Sequence, residues 1–525
     1  MSAAAPRKRK KLTRRTLLAG GGLVACCAVG IPGTFAAIVF LGNDPQTNVG
    51  DLDFANPLHI PPVAEPDIDE NGRKTWNLTI QTGESSILPG KTTETWGING
   101  PFLGPTLRAS LDDEIAINLQ NELPEDTTIH WHGMHLPAVM DGGPHQTVPV
   151  GQEWSPEWTI IQPAATLWYH PHPHGKTAEH VYRGIAGFFL LDDDVSTSDV
   201  LPHEYGIDDI PVLVQDKRFR DDGDFDVSAG SFFDNFTGAP ALGIRGKDIL
   251  VNGTWNPHFE VTRERIRLRI LNGSNTRFYN FGFTDDRPFT LLATDNGIIP
   301  GDLPELTRII LGPAERAEIL VEFQPGDEVI LRSFEQDLLP GGVQGKQIGA
   351  EDVFDILQFR AAASLEPSPD VPVRLLEPAG ERDIPDDATE RTFTLEGHGS
   401  INGEEMDMDR IDVVIPMGAR EIWHIKSSGQ PHTFHIHGST FHVLDVDGEE
   451  PPPELRGPKD TVFVSPDHPV RILVQFLDYV DPAMPYMYHC HLLRHEDNGM
   501  MGQFVVVEPG MEAVTPRTVS SGHTH

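Results

Sequence analysis

Short runs in which apolar and polar residues alternate dominate the chain, and the three-to-four-residue apolar rhythm of long helices is scarce. The clearest run is "ERIRLRILN" from residue 264, where Ile266, Leu268 and Ile270 alternate with Arg265, Arg267 and Arg269. That is the period-two pattern of a strand with one buried face. "DEIAINLQN" from 113 and "REIWHIKSS" from 420 follow the same pattern. With 50 glycines and 45 prolines punctuating 525 residues, many short strands joined by turns are expected, an all-β class.

The runs belong to a repeat. Ile98-Asn99-Gly100, Val251-Asn252-Gly253 and Ile401-Asn402-Gly403 recur at spacings of 153 and 150 residues, each followed by one of the alternating strands. Further on, "PAERAEILVEF" (313–323) matches "PDHPVRILVQF" (466–476). Self-similarity at this period predicts three homologous β-sandwiches. Acid-rich 191–208 and Pro-rich, charged 361–390 read as joints. They place the domains at 52–195, 209–363 and 390–510, with a tail at 511–525.

Charge and cysteine narrow the class. The first 43 residues hold seven Lys or Arg and no acid; removing those seven from a net −38 leaves the body at −45. Such a surface excludes nucleic acid as a partner and favours solubility and small cations. The N-terminal "TRRTLL" (13–18) and the 25 uncharged residues Leu17–Leu41 resemble a twin-arginine export signal or a membrane anchor. The location expected is therefore extracytoplasmic: periplasmic, cell-surface or secreted. Cys26 and Cys27 fall in that segment, leaving Cys490 as the body's one thiol, with no internal disulfide.

Histidine carries the chemistry. Chance would give roughly one His-x-His among 23 histidines, and the chain has six. Four sit in apolar or aromatic strand-like settings: His130/His132, His170/His172, His435/His437 and His489/His491. On a strand, residues i and i+2 face the same way, so each pair presents two imidazoles from one face. Eight converging nitrogens suit a cluster of transition metals. The middle unit has "FYNFGF" where the others have "HWHG" and "HTFHIHG", so it is expected to carry the fold without ligands.

In His489-Cys490-His491 the same pleat turns the sulfur away from the two imidazoles, so one tripeptide serves two metal sites. Cys490, His495 and Met500, joined by His432, supply a thiolate, two imidazoles and a thioether, the ligand set of a blue-copper electron-transfer centre. Met500 is chosen over Met501 on spacing.

The motifs "HWHG" at 130, "WYHPHPHG" at 168, "HTFHIHG" at 432 and "HCHLLRHEDNGMM" at 489 resemble the multicopper oxidases, the laccase-like family, over essentially the whole chain after residue 50. The resemblance implies three cupredoxin-like Greek-key β-sandwich domains and four copper ions. Type 1 copper would take His432, Cys490, His495 and axial Met500, and type 2 copper His130 and His435. The type 3 pair would take His132, His170 and His491 on one ion and His172, His437 and His489 on the other. Asp141 in "MDGGPHQ" and Glu496 resemble the family's proton-relaying carboxylates. The implied activity is an oxidase that couples one-electron oxidation of phenolic, aromatic-amine or low-valent metal donors to four-electron reduction of O2 to water, working as a monomer.

Two departures bear on the donor. Residues 335–400 contain no Met where copper-efflux relatives carry a methionine-rich insert, and Ser427 and Ser428 stand where those relatives place an acid before the type 1 histidine. A cuprous or ferrous metallo-oxidase, and a copper-binding or electron-transfer protein without turnover, are the alternatives.

Overall fold

In this computed structural model the described residues are 45–519, apart from 228–242, 337–338, 340–344, 346–347 and 381. The basic segment 1–43 with Cys26 and Cys27, and the His523/His525 end of the tail, lie outside them.

The chain folds as three cupredoxin-like β-sandwiches. The first packs a four-stranded sheet (Leu107–Ser110, Gly187–Asp192, Ala165–His170, His130–His132) against a sheet built on Lys74–Ser85 and Glu114–Asn121. The middle sandwich is built around Asp209–Lys217, Arg265–Asn272 and Arg316–Glu322 in one sheet and Pro257–Arg263, Phe354–Glu366 and Glu328–Ser333 in the other. In the third, Glu390–Glu396, Ala419–Ser428, Val470–Phe476 and Thr440–Val446 face Val413–Pro416, Met501–Val507, Asp481–Cys490, His432–Ile436 and Thr461–Val464. Each sandwich encloses its own apolar core. Residues Asn56–Pro57, inside the span expected for the first domain, pair instead with Pro257 and His258 of the middle one.

The three Asn-Gly signatures do the same work in each copy. Asn99, Asn252 and Asn402 all have left-handed backbones, φ 54°, 49° and 55°, a conformation Asn tolerates. Each side-chain oxygen accepts from a main-chain N–H of the sandwich's first strand (Thr79 at 2.7 Å, Leu213 at 2.9 Å, Thr394 at 2.8 Å). Each side-chain NH2 donates to the carbonyl two residues earlier (Asn77, Pro211, Thr392). In every copy that first strand also runs parallel to the alternating strand, with Lys74–Ile80 on Ile115–Asn121, Asp209–Val214 on Arg267–Asn272 and Glu390–Glu396 on Ile422–Ser428.

One expectation about exposure is corrected. Ile266, Leu268 and Ile270 are buried as the alternation requires, but Arg267 and Arg269 are also only 1 % exposed. Their face is covered by neighbouring chain. Arg267 donates to Glu318 and to the Ser196 carbonyl, and Arg269 to Asp209, Glu318 and Thr166 of the first sandwich. An alternating pattern reports which way side chains point, not what is packed over the polar face.

Candidate metal centres

The register of one strand pair sorts the third sandwich's ligand candidates. His432–Ile436 runs antiparallel to Asp481–Cys490, with Phe434 opposite Cys490 and His435 opposite His489. Even positions of the first strand therefore share a face with Cys490, and odd positions share one with His489. His432 accordingly joins the sulfur, while His435 and His437 join His489. In the first sandwich His130 lies opposite His170 and His132 opposite Trp168. The short helix Leu493–Asp497 then returns His495 to the thiol, anchored by its N–H on the Leu492 carbonyl at 2.7 Å.

Two buried clusters result. Eight imidazoles gather in the groups His130/His132/His435 and His132/His170/His491, which share His132, and His172/His437/His489, which the group His130/Asp141/His437 joins to them; ligand atoms within each group lie within 4.8 Å of one another. His432, Cys490 and His495 form the other cluster under the same criterion. Every histidine singled out in the four motif pairs is in the first cluster.

Hydrogen bonds at the far nitrogens fix what each ring offers. Nδ1 of His130, His170, His435 and His489 sits 2.9, 2.9, 2.9 and 3.1 Å from the carbonyls of Asp141, Pro171, Asp460 and Cys490. Nδ1 of His437 donates to Asp141 Oδ2 at 2.7 Å. A ring that donates from Nδ1 carries its lone pair at Nε2. Yet the Nε2 atoms of His437 and His489 are 3.1 Å apart, and those of His172 and His489 are 3.2 Å apart. Nε2 of His130 and of His435 has no partner at all. Burial first, and neighbouring imidazoles second, hold His132, His170, His172, His437, His489 and His491 well below the usual histidine range. Neutral rings aiming lone pairs at one another repel and leave buried acceptors unsatisfied, a cost that cations between them would remove. The donor set fits transition metals that favour imidazole.

Both expected carboxylates attend a single triad. Asp141, 1 % exposed, holds His437, with Oδ1 3.4 Å from His130 Nδ1. Glu496 places Oε1 3.3 Å from His172 Nδ1 and Oε2 3.3 Å from His489 Nδ1. Burial, with Asp497 adjacent, pushes the Glu496 carboxyl well above the ordinary range.

At the thiol cluster the rings turn round. His432 Nδ1 and His495 Nδ1 lie 3.3 and 3.6 Å from Cys490 Sγ and 3.2 Å from each other. Burial pushes the thiol up to about 12 and His432 down to about 3, so a bound cation is what would make the sulfur a thiolate at neutral pH. Met500 is fully buried in the apolar cluster that contains Cys490 and Leu492, whereas Met501 lines a cleft with Arg391, Val413 and Tyr488.

Two contributors escaped the sequence reading. His132 faces the opposite way from its neighbours, with Nε2 3.1 Å from Asp460 Oδ1, and Asp460 is gripped by Arg316 of the middle sandwich at 2.7 and 2.6 Å. Arg316 also donates to the Thr166 carbonyl, so one middle-domain side chain ties both ligand-bearing sandwiches together. Although burial works against it, Arg316 keeps Asp460 well below the carboxylate range. The sequence signal was faint: Arg316 stands in the repeat where the third copy has Pro469. The second is His398, whose Nδ1 is 3.2 Å from His495 Nε2.

Three cupredoxin-like sandwiches, with a buried imidazole cluster built from the first and third and a thiol cluster within the third, define a class of metal-binding β-protein, and comparison with known proteins narrows it. Family models described as multicopper oxidase match residues 79–196 and 378–510. The chain is 34% identical over 477 residues to Multicopper oxidase mco of Staphylococcus epidermidis, covering 88% of this chain and 95% of that protein. It is 35% identical over 461 residues to Cell division protein FtsP of Escherichia coli, covering 86% and 92%. A crystal structure of laccase from Pediococcus acidilactici superposes with TM-score 0.76 at 36% identity, covering 86% and 94%. The chain belongs to the multicopper oxidase family, which implies copper as the bound metal.

Proposed function

We propose that this protein is an active, laccase-like multicopper oxidase that couples one-electron oxidation of phenolic, aromatic-amine or low-valent metal donors to reduction of O2 to water. Type 1 copper would be held by His432, Cys490, His495 and Met500, and type 2 copper by His130 and His435. The type 3 pair is held by His132, His170 and His491 and by His172, His437 and His489, making four coppers in all. Bound copper supplies one-electron chemistry at the thiol site and collects electrons for oxygen at the histidine site. Cys490 joins the two, since its side chain ends in one cluster and its neighbours His489 and His491 end in the other. Asp141 and Glu496 orient the His172/His437/His489 triad and lie where protons bound for oxygen can be held. The protein works as a monomer with domains at 52–195, 209–363 and 390–510. It is exported through its basic N-terminal segment, which is cleaved, lipidated or retained as an anchor; no helix among the described residues is long and apolar enough to cross a membrane.

The observation that carries this reading is the pairing of two buried donor sets through one tripeptide, an arrangement that metal storage does not require. Similarity to a cell division protein favours a second reading, a copper-binding protein without turnover. Oxygen uptake by copper-replete protein with phenolic, ferrous and cuprous donors decides between them: uptake supports the oxidase, and a blue protein that consumes no oxygen with any donor supports the alternative.

A further inference from the structure

The thiol cluster has no exposed ligand atom. His432, Cys490 and His495 are each 0 % exposed, so a donor in solution touches none of them. What lies over them is the tip of a hairpin. Glu390–Glu396 turns back into Ser400–Ile401, with Leu395 opposite Ile401 and Glu396 opposite Ser400, leaving Gly397-His398-Gly399 as the turn. Both glycines are needed: Gly397 has φ +62°, and a Cβ on Gly399 would meet the Asn498 carbonyl at 2.7 Å. The tip is thereby pressed onto the loop after His495, and the half-buried His398 ring sits 5.1 Å, centroid to centroid, from that of His495.

His495 turns Nδ1 to the thiol, so Nε2 carries its proton and donates to His398 Nδ1 at 3.2 Å. Gln430 Nε2, bonded to the Gly397 carbonyl at 2.5 Å, lies 2.8 Å from the same Nδ1. With Nδ1 accepting, Nε2 of the half-buried His398 bears the ring's hydrogen.

We propose that His398 is the electron-entry group of this oxidase: phenols and aromatic amines dock against its ring, and the electron reaches the type 1 site across the His398–His495 hydrogen bond. In each transfer the donor loses one electron, a phenol's proton leaves to water, and the cupric ion held by Cys490 becomes cuprous; no bond to the protein forms or breaks. The inference rests on the oxidase reading above.

The test compares full-length, copper-loaded parent with His398→Ala and His398→Asn, by carbethoxylation mapping with diethyl pyrocarbonate and by oxygen uptake with hydroquinone. In the parent, His398 is labelled and His495 is not. His398→Ala exposes His495 to label and lowers hydroquinone kcat/KM by about tenfold, the loss expected for a partner one shell outside a metal ligand. His398→Asn places an acceptor oxygen where Nδ1 was, so His495 stays shielded and the blue band is kept. Its hydroquinone efficiency still falls about as far, chiefly in KM, because the ring is gone. A merely structural role predicts parental efficiency for the Asn variant, and that result overturns the proposal, as does labelling of His495 in the parent. If the parent consumes no oxygen, the oxidase reading fails and takes this port with it; an active parent with unaffected variants removes only the port.

Discussion

In the third sandwich the strand His432–Ile436 and its neighbours present imidazole lone pairs and a thiol to buried space, while the middle sandwich, built on the same plan, has the aromatic strand Tyr279–Phe283 there and carries its buried polar groups as arginines on another strand, Arg265–Asn272. The middle domain's charges complete one another, with Arg269 bound to Asp209 and Glu318, and Arg267 to Glu318. The third domain's neutral rings do not: Nε2 of His435, aimed into the histidine cluster, is buried without a partner. The difference teaches that the pleat is neutral scaffolding. Whether a buried polar face is finished within the polypeptide or waits for a metal depends on which side chains the strands carry.

The largest expected effect comes from breaking the ligand-bearing side at its junction. Cys490→Ser is expected to abolish the blue absorption and oxygen turnover while leaving most of the remaining copper bound, measured by visible spectroscopy and copper analysis. Loss of all copper would show that the two clusters are one folding unit instead.

Next in size is the point where the two domains meet. Arg316→Ala leaves Asp460 as an uncompensated buried charge against His132, and breaking such a pair costs about 3–5 kcal/mol. Because Asp460 also accepts from His435 through its carbonyl, the type 2 copper signal in electron paramagnetic resonance should weaken while the blue band persists. A parental type 2 signal would confine Arg316 to folding.

Copper removal sharpens the contrast further. A ligand that binds only the native state at about 100 times its dissociation constant adds about 2.7 kcal/mol, so the metal-free protein should melt at a lower temperature than the copper-loaded one. In Cys490→Ser the copper-dependent rise should shrink without vanishing.

Most of this architecture was legible from local pattern. The triple Asn-Gly recurrence gave the three sandwiches because each Asn performs the same local hydrogen-bonding task, and the His-x-His pairs announced the cluster because pleating acts at two residues' distance. What stayed hidden depends on contacts distant in sequence. Arg267 and Arg269 read as a wet face because nothing local marks Ser196 and Thr166 as their cover. The Arg316–Asp460 contact spans 144 residues and joins a repeat position to a loop. His398 carried no spacing signal, and only the hairpin turn places it over His495.

Smaller effects probe the self-completed side. Burial raises the Glu318 carboxyl, but Arg267 and Arg269 outweigh it and bring it down to about 2, below its ordinary 4.5. A depressed carboxyl stabilises the fold above its unfolded value and loses that contribution as pH falls through the folded one. The stability gap between parent and Glu318→Gln in urea melts should therefore be constant from neutrality to about pH 5 and narrow toward pH 2. Smallest of all, Asn99→Ala and Asn402→Ala, both at exposed turns, should each cost about 1–2 kcal/mol for the lost pair of hydrogen bonds, and equal losses would confirm that the repeats share one turn.

The central claim is that one strand's pleat divides His489-Cys490-His491 between two metal sites. Anomalous diffraction at the copper edge from crystals of the copper-loaded protein tests it most directly. The account predicts one peak bounded by His432, Cys490 and His495, and a separate group of three among the eight paired histidines. A single peak, or copper bound away from Cys490, would contradict it.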